Sequence, residues 1–244
     1  MVYNNLIFMI TIHTLTYNEE VLLPFFIEHY RKNFPNCIIK IYDNESTDNT
    51  CNIAKENNCE VITYNSNNTL SDEIYLDIKN NVWKNSTTDW NLVCDVDELC
   101  IINQNNLEEE ELINTTIIRF QSYDMVNMSD NPENIELKQI SYGVRHPLYD
   151  KDLLFNKKFV SQINYQPGCH RSNPIGIIKY SNTEYKMLHY KYIGENFVVK
   201  RYEHFKQRMS EKNKKLGWGY QYLMDEKTLR DVYKQNQLKS FKIL

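Results

Sequence analysis

No stretch of this sequence approaches the roughly 20 consecutive apolar residues that a membrane-spanning helix needs. The most apolar N-terminal run, residues 6–12, is short and lacks the basic flank of a secretion signal, so a soluble cytoplasmic protein is expected. Cysteine spacing is equally uninformative. Cys37, Cys51, Cys59, Cys94, Cys100 and Cys169 are scattered, with no Cys-x-x-Cys and no zinc pattern. Several fall in apolar runs and read as small buried side chains in a reducing compartment. There is no basic excess either: the net charge of −4 argues against a general nucleic-acid binder. Neither a repeat nor a flexible linker interrupts the 244 residues, which favours one continuous domain. What is present is ordinary for a globular α/β protein: 41% hydrophobic and 25% charged residues, enough to bury a proper core.

The first hundred residues alternate strand and helix. Strands are expected at residues 6–13, 37–42 and 60–64, and again where Leu92, Val93 and Cys94 form a short apolar run. Helices are expected at 20–31 with Asn18 as N-cap, at 47–57 capped by Ser46 or Thr47, and at 71–84. Such alternation implies a mainly parallel sheet with helices on both faces. The second half is less regular. Residues 108–111 read as the solvated face of a short helix, and 117–122, 159–163, 175–180 and 187–192 as strands. From Glu195 onward the spacing of Val198, Tyr202, Phe205 and Met209 is helical.

The apolar run at 92–94 ends abruptly in Asp95-Val96-Asp97-Glu98. In an extended chain Asp95 and Asp97 would share one face, and two carboxylates so close repel unless a cation lies between them. Mg²⁺ or Mn²⁺, which prefer oxygen ligands, fit that demand and would suit a diphosphate. The C-terminal edge of an open α/β sheet is also where ligands bind. Asp43-Asn44-Glu45-Ser46-Thr47-Asp48 follows the second strand; it fails as a calcium loop, because Asp48 and Ala54 stand where glycine and glutamate are required. Asp43 at a strand tip can accept from a ribose hydroxyl or a base N–H. Thr14 to Glu20 is the matching loop after the first strand.

Late in the chain, alternation puts His189 and Lys191 on one side of a strand and Tyr190 and Tyr192 on the other. Imidazole can complete a Mn²⁺ site and an ammonium can meet a phosphate. Gly168-Cys169-His170 marks a tight turn with a second histidine. Lys200, Arg201, Lys206, Arg208, Lys212, Lys214 and Lys215 read by default as a solvated basic face, with an acceptor-binding or peripheral anionic-membrane surface as the sharper alternative.

Together these residues resemble a family 2 glycosyltransferase of the GT-A fold, in the branch that carries Asp-Val-Asp-Glu and His-Tyr-Lys-x-x-Gly motifs. Four stretches carry the resemblance: Thr16 to Glu20, Asp43 to Thr50, Asp95 to Glu98, and His189 to Gly194. Pro167 to His170 and Gly217 to Tyr220 add to it. The resemblance implies one GT-A domain over 1–244, with a nucleotide-sugar half (1–100), an acceptor-side half (101–194) and C-terminal helices (195–244). It implies transfer of a sugar from a UDP-linked donor to a glycan, glycoprotein or glycolipid hydroxyl, with inversion. By the same resemblance Thr14, Tyr17, Glu19 and Asp43 serve the nucleoside, and Lys79 and Asn80 approach the ribose or diphosphate. His170 and Lys191 belong to the donor site, and Asp95, Asp97 and His189 hold Mn²⁺ or Mg²⁺. The catalytic base has no clear motif; Glu98, Asp124, Asp150 and His170 are its candidates. Two other functions compete. A sugar-phosphate nucleotidyltransferase would need a glycine-rich basic loop after the first strand, which Thr14 to Glu20 does not supply. A non-catalytic carbohydrate-binding protein of the same fold is the other.

Overall fold

The computed structural model describes residues 9–130 and 134–244. The central strand is β1 (Ile10–Thr16), buried along its whole length. Its β-branched run is what a strand covered on both faces requires. It is flanked in parallel by β2 (Ile38–Asp43) and β4 (Trp90–Val93), and β3 (Glu60–Thr63) extends the parallel set beyond β2. Of the expected first strand, residues 6–8 lie outside the described residues. Three helices connect these strands: α1 (Leu23–Asn33), α2 (Thr50–Glu56) and α3 (Asp72–Asn81). Leu23, Phe26, Ile27 and Tyr30 on α1 are buried at i, i+3, i+4 and i+7, so one stripe of the helix packs into the main core. Each such side chain contributes about 1.5–3 kcal/mol by leaving water.

The caps differ from expectation. Asn18 has a left-handed φ of 55°, and its Oδ1 accepts from the Thr47 backbone N–H at 2.7 Å rather than capping α1. Ser46 donates to Asp43 Oδ1 at 2.6 Å instead of capping α2. Both side chains serve to tie the loop after β1 to the loop after β2.

The remaining strands turn the sheet into a mixed one. β5 (Glu98–Ile101) follows the acidic turn, and α4 (Gln104–Leu112) leads to the long β6 (Ile117–Val126). β7 (Tyr142–Arg145) and β8 (Lys151–Asn156) pair antiparallel with β6, and β8 also joins β4. β9 (Val160–Gln162) and β10 (Ile175–Gly176) form a separate two-stranded ribbon, so the expected strand at 175–180 shrinks to two residues. β11 (Tyr185–Tyr192) lies between β5, antiparallel, and β6, parallel. α5 (Glu195–Arg208), α6 (Glu211–Leu216) and α7 (Glu226–Lys239) follow, and β12 (Phe241–Lys242) adds an edge to β7. The acidic run on α4 is not wholly solvated. Glu110 is buried and accepts from Thr115, Ser181 and Tyr185 hydroxyls at 2.6, 2.6 and 3.0 Å. Among the described residues no helix is long and apolar enough to cross a membrane.

Candidate active site

Strand register explains how distant residues meet. His189 lies opposite Glu98 on β5 and opposite Asp124 on β6. Immediately before β5 the chain turns at 95–97, and Tyr190 N–H donates to the Asp97 carbonyl at 2.8 Å. The C-terminal half thus delivers an imidazole to the acids that follow β4. These residues floor a cleft of roughly 440 Å³, within the usual range for a small-molecule site. Over it lie Arg201, Tyr202, Phe205 and Arg208 of α5 and the turn from Gly217 to Tyr222.

Asp95 and Asp97 do not sit on an extended strand with a common face. They belong to a tight turn in which the Asp95 N–H donates to Glu98 Oε2 and the Glu98 N–H to the Asp95 carbonyl, both at 3.0 Å. The turn points the two carboxylates at different partners. Asp95 takes the buried ammonium of Lys79 at 2.5 Å and that of Lys151 at 3.4 Å. Burial works against its charge, but the two lysines outweigh burial and hold its carboxyl far below the usual range. Lys151 also pairs with Glu98 at 2.5 Å, a salt bridge buried on both sides. Asp97 instead has Oδ2 3.6 Å from His189 Nε2 and 3.4 Å from Arg201. Against the cost of burial, His189 and Arg201 bring its carboxyl down to about 2. On its other side His189 Nδ1 lies 2.8 Å from Asp124 Oδ1. Burial disfavours its charge, yet Asp97 and Asp124 together push the imidazole up to about 10. Arg201 continues the chain of charges to Glu19 at 2.6 Å.

The other expected site residues divide into two groups. Tyr17, Glu19, Lys79, His170 and Lys191 line the cleft with the acids. His170 stacks on Tyr149 at 4.5 Å between ring centroids, and Tyr149 in turn stacks on His146 at 4.0 Å. Gly168, at φ +75°, is required there, because a Cβ would come within 2.8 Å of the His170 ring. Burial and Lys151 lower the His170 imidazole to about 3, and its Nδ1 is buried without a hydrogen-bond partner. Lys191 spans the faces of Tyr149 and Tyr192 and, among the described residues, makes no ion pair with a carboxylate.

Thr14, Asp43, Asn80, Asp124 and Asp150 do not line the cleft. Thr14 and Asp43 are buried, and both Asp43 oxygens are taken, by Thr16 and Ser46. Asn80 holds the Tyr165 backbone through N–H···Oδ1 at 2.7 Å. Asp150 is locked two-pronged by Arg145 at 2.7 and 2.8 Å. All three carboxylates expected as bases are therefore engaged: Glu98 by Lys151, Asp124 by His189, Asp150 by Arg145.

Three cleft residues were invisible or misread in the sequence. Lys151 opens β8, a strand whose short Leu-Leu-Phe run carries no alternation. Arg201 and Arg208 read as a solvated face but turn inward. Arg208 lies over Tyr17, with its guanidinium carbon 3.1 Å from the ring centroid. Among the described residues no group of three or more His, Cys, Asp or Glu side chains is gathered to ligate a metal. A metal at this floor would take Asp97 and His189 from the protein, an oxygen and a nitrogen donor, and complete its shell with water and ligand oxygens. A shell completed largely by water and ligand oxygens suits Mg²⁺ or Mn²⁺, and the imidazole donor favours Mn²⁺ of the two.

No family model and no curated protein matches the chain. Solved structures do. TarS 1–349 from S. aureus aligns at 13% identity over 80% of this chain and 63% of that one, with a TM-score of 0.44. The same protein in complex with UDP-GlcNAc aligns at 14% identity over 82% and 66%, with a TM-score of 0.44. Glucosyl-3-phosphoglycerate synthase from Mycobacterium tuberculosis, in complex with Mn²⁺, UDP and glucosyl-3-phosphoglycerate, aligns at 15% identity over 47% and 43%, with a TM-score of 0.32. The chain spans less than two thirds of the length of each of these.

Proposed function

We propose that this chain is a metal-dependent glycosyltransferase that moves a sugar from a UDP-linked donor to a hydroxyl acceptor. One observation carries the reading: Asp97 Oδ2 and His189 Nε2 meet at 3.6 Å on the cleft floor from opposite halves of the chain, with Asp124 fixing the imidazole from behind. A carboxylate that accepts from one ring nitrogen sets the tautomer and leaves the other nitrogen for a metal. Mn²⁺ or Mg²⁺ bound there supplies charge neutralisation for a leaving diphosphate. The protein's own part is threefold. Asp97 and His189 present the donor pair, Lys191 offers an unpaired ammonium to the diphosphate, and Lys79 and Lys151 immobilise Asp95 and hence the turn that aims Asp97. Arg201, bridging Glu19 and Asp97, joins the loop after β1 to the same turn.

Displacement at the anomeric carbon proceeds with inversion in this reading: the acceptor oxygen forms the new bond as the bond to UDP breaks and UDP leaves. Calorimetric titration with UDP should give binding that requires Mn²⁺, and Asp97→Ala should abolish the metal requirement together with most of the affinity. Metal-dependent binding left intact in that variant would overturn the proposal. Slow release of free sugar from a UDP-sugar without acceptor separates an enzyme from a binding protein, and absence of pyrophosphate release from UTP and a sugar phosphate separates it from a nucleotidyltransferase.

A further inference from the structure

Arg208 ends α5 with only 5% of its surface exposed, and both of its terminal nitrogens, Nη1 and Nη2, are buried without a hydrogen-bond partner. A buried cation with unmet donors is expensive to keep in a fold unless something fills its open side. The rest of the group is fixed. Nε donates to Asn68 Oδ1 at 3.1 Å and to the Asn68 carbonyl at 3.3 Å, while one face rests on the Tyr17 ring. What remains without a partner is the outer edge of the guanidinium, in a residue that lines the cleft. Such an edge matches a planar group or anion with two acceptors side by side.

Position on α5 decides between a phosphate and a base. Arg201, on the same helix, faces Asp97. Arg208 follows seven residues later, about 10 Å farther along the axis and on the same face. Asn68, which holds Arg208, belongs to the loop after β3, on the far side of β1 from the acidic turn. A nucleotide whose diphosphate lies at Asp97, His189 and Lys191 extends its base away from them, and Tyr17 and Arg208, with Tyr75 beside them, are planar groups lining the cleft there. We infer that Arg208, stacked on Tyr17, selects the donor's nucleobase, its two free N–H donors reading acceptor atoms on the base edge. This rests on the nucleotide-sugar reading above. Bases with oxo acceptors satisfy the fork, guanine through O6 and N7 side by side and uracil through one carbonyl that takes both N–H groups; adenine sets an amino donor against it.

The test is competition calorimetry with Mn²⁺ present, using UDP, ADP and inorganic pyrophosphate against wild type, Arg208→Met and Arg208→Lys. Wild type should prefer UDP over ADP by about ten-fold or more, the scale of a charged hydrogen bond gained or lost. Arg208→Met should bring UDP down to the ADP level and leave pyrophosphate unchanged, and Arg208→Lys, which keeps the charge without the fork, should restore only part of the preference. The methionine variant should melt, without ligand, no lower than wild type, since it keeps the packing on Tyr17 and removes an unmet charge. Pyrophosphate affinity falling in step with UDP would assign Arg208 to the phosphates and overturn the inference. An unchanged UDP-to-ADP ratio in the methionine variant would overturn it alone. Wild-type protein that binds none of the nucleotides would overturn the glycosyltransferase reading as well.

Discussion

Nδ1 of His189 lies 2.8 Å from Oδ1 of Asp124, on the adjacent parallel strand and in direct register with it. The bond is therefore built by sheet geometry rather than by a loop, and it fixes which ring nitrogen turns toward Asp97. Two strands hold the acid and the imidazole at one level, and the turn before a third brings Asp97 up to them.

Removing that support should weaken metal binding without touching a ligand. Asp124→Ala is expected to lower Mn²⁺ affinity by about 10- to 100-fold, the usual cost of losing a group that orients a ligating histidine. Asp124→Asn, whose amide oxygen can still accept from Nδ1, should lose less. Electron paramagnetic resonance of free Mn²⁺ during titration reads both values directly. Equal affinity in wild type and the alanine variant would deny Asp124 an orienting role.

Lys151 and Glu98, at 2.5 Å, form the most deeply buried ion pair of the site, with side chains 5% and 1% exposed. Taking away one partner leaves a charge stranded in the interior, which costs about 3–5 kcal/mol. Lys151→Met should thus lower the stability measured by urea unfolding by about that amount. Lys151→Met combined with Glu98→Gln should recover a large part, because nothing charged is then left alone except Asp95, which keeps Lys79. A single variant as stable as wild type would mean that the pair is not buried in solution.

The fold was legible in the sequence wherever a strand or helix buries a regular pattern. The order β1-α1-β2-α2-β3-α3-β4 follows from apolar runs such as that of β1, and long-range pairing adds nothing to it. Polar side chains were harder to read. Asn18, Ser46 and Thr47 carry the chemistry of helix caps, but their partners lie 28 or 29 residues away across two loops, or at the tip of β2. Spacing rules see only neighbours. The acidic cluster at 95–98 was legible as a feature at a strand end, whereas its division between lysines and histidine was not. That division depends on a turn, and on Lys151 from a strand that short-range pattern does not reveal. The basic residues of α5 show the same limit, since amphipathic spacing locates a face but not what covers it. The resemblance brought His189 to the acids where spacing alone could not, because β11 reaches them only through its pairing with β5 and β6.

His13 makes acid stability testable. It is buried in β1 between Tyr42 Oη at 3.1 Å and Asn91 Oδ1 at 3.0 Å. Burial lowers its imidazole from the ordinary 6.5 to about 4, so between those values the unfolded chain binds a proton that the folded chain refuses. Stability contributed by the neutral ring is complete above about 6.5 and falls as the pH drops toward 4. The gap corresponds to about 3 kcal/mol for a group so deeply buried. Urea midpoints measured from pH 7.5 down to 4.5 should therefore fall more steeply for wild type than for His13→Gln. That variant keeps hydrogen-bonding capacity but has nothing to protonate. The glutamine protein is expected to be the less stable of the two at neutral pH, where a well-packed imidazole is lost, and to close the difference as acid is added. Parallel curves for the two proteins would show that His13 does not resist protonation in the folded state, and that acid sensitivity must be sought in the carboxylate pairs of the cleft instead.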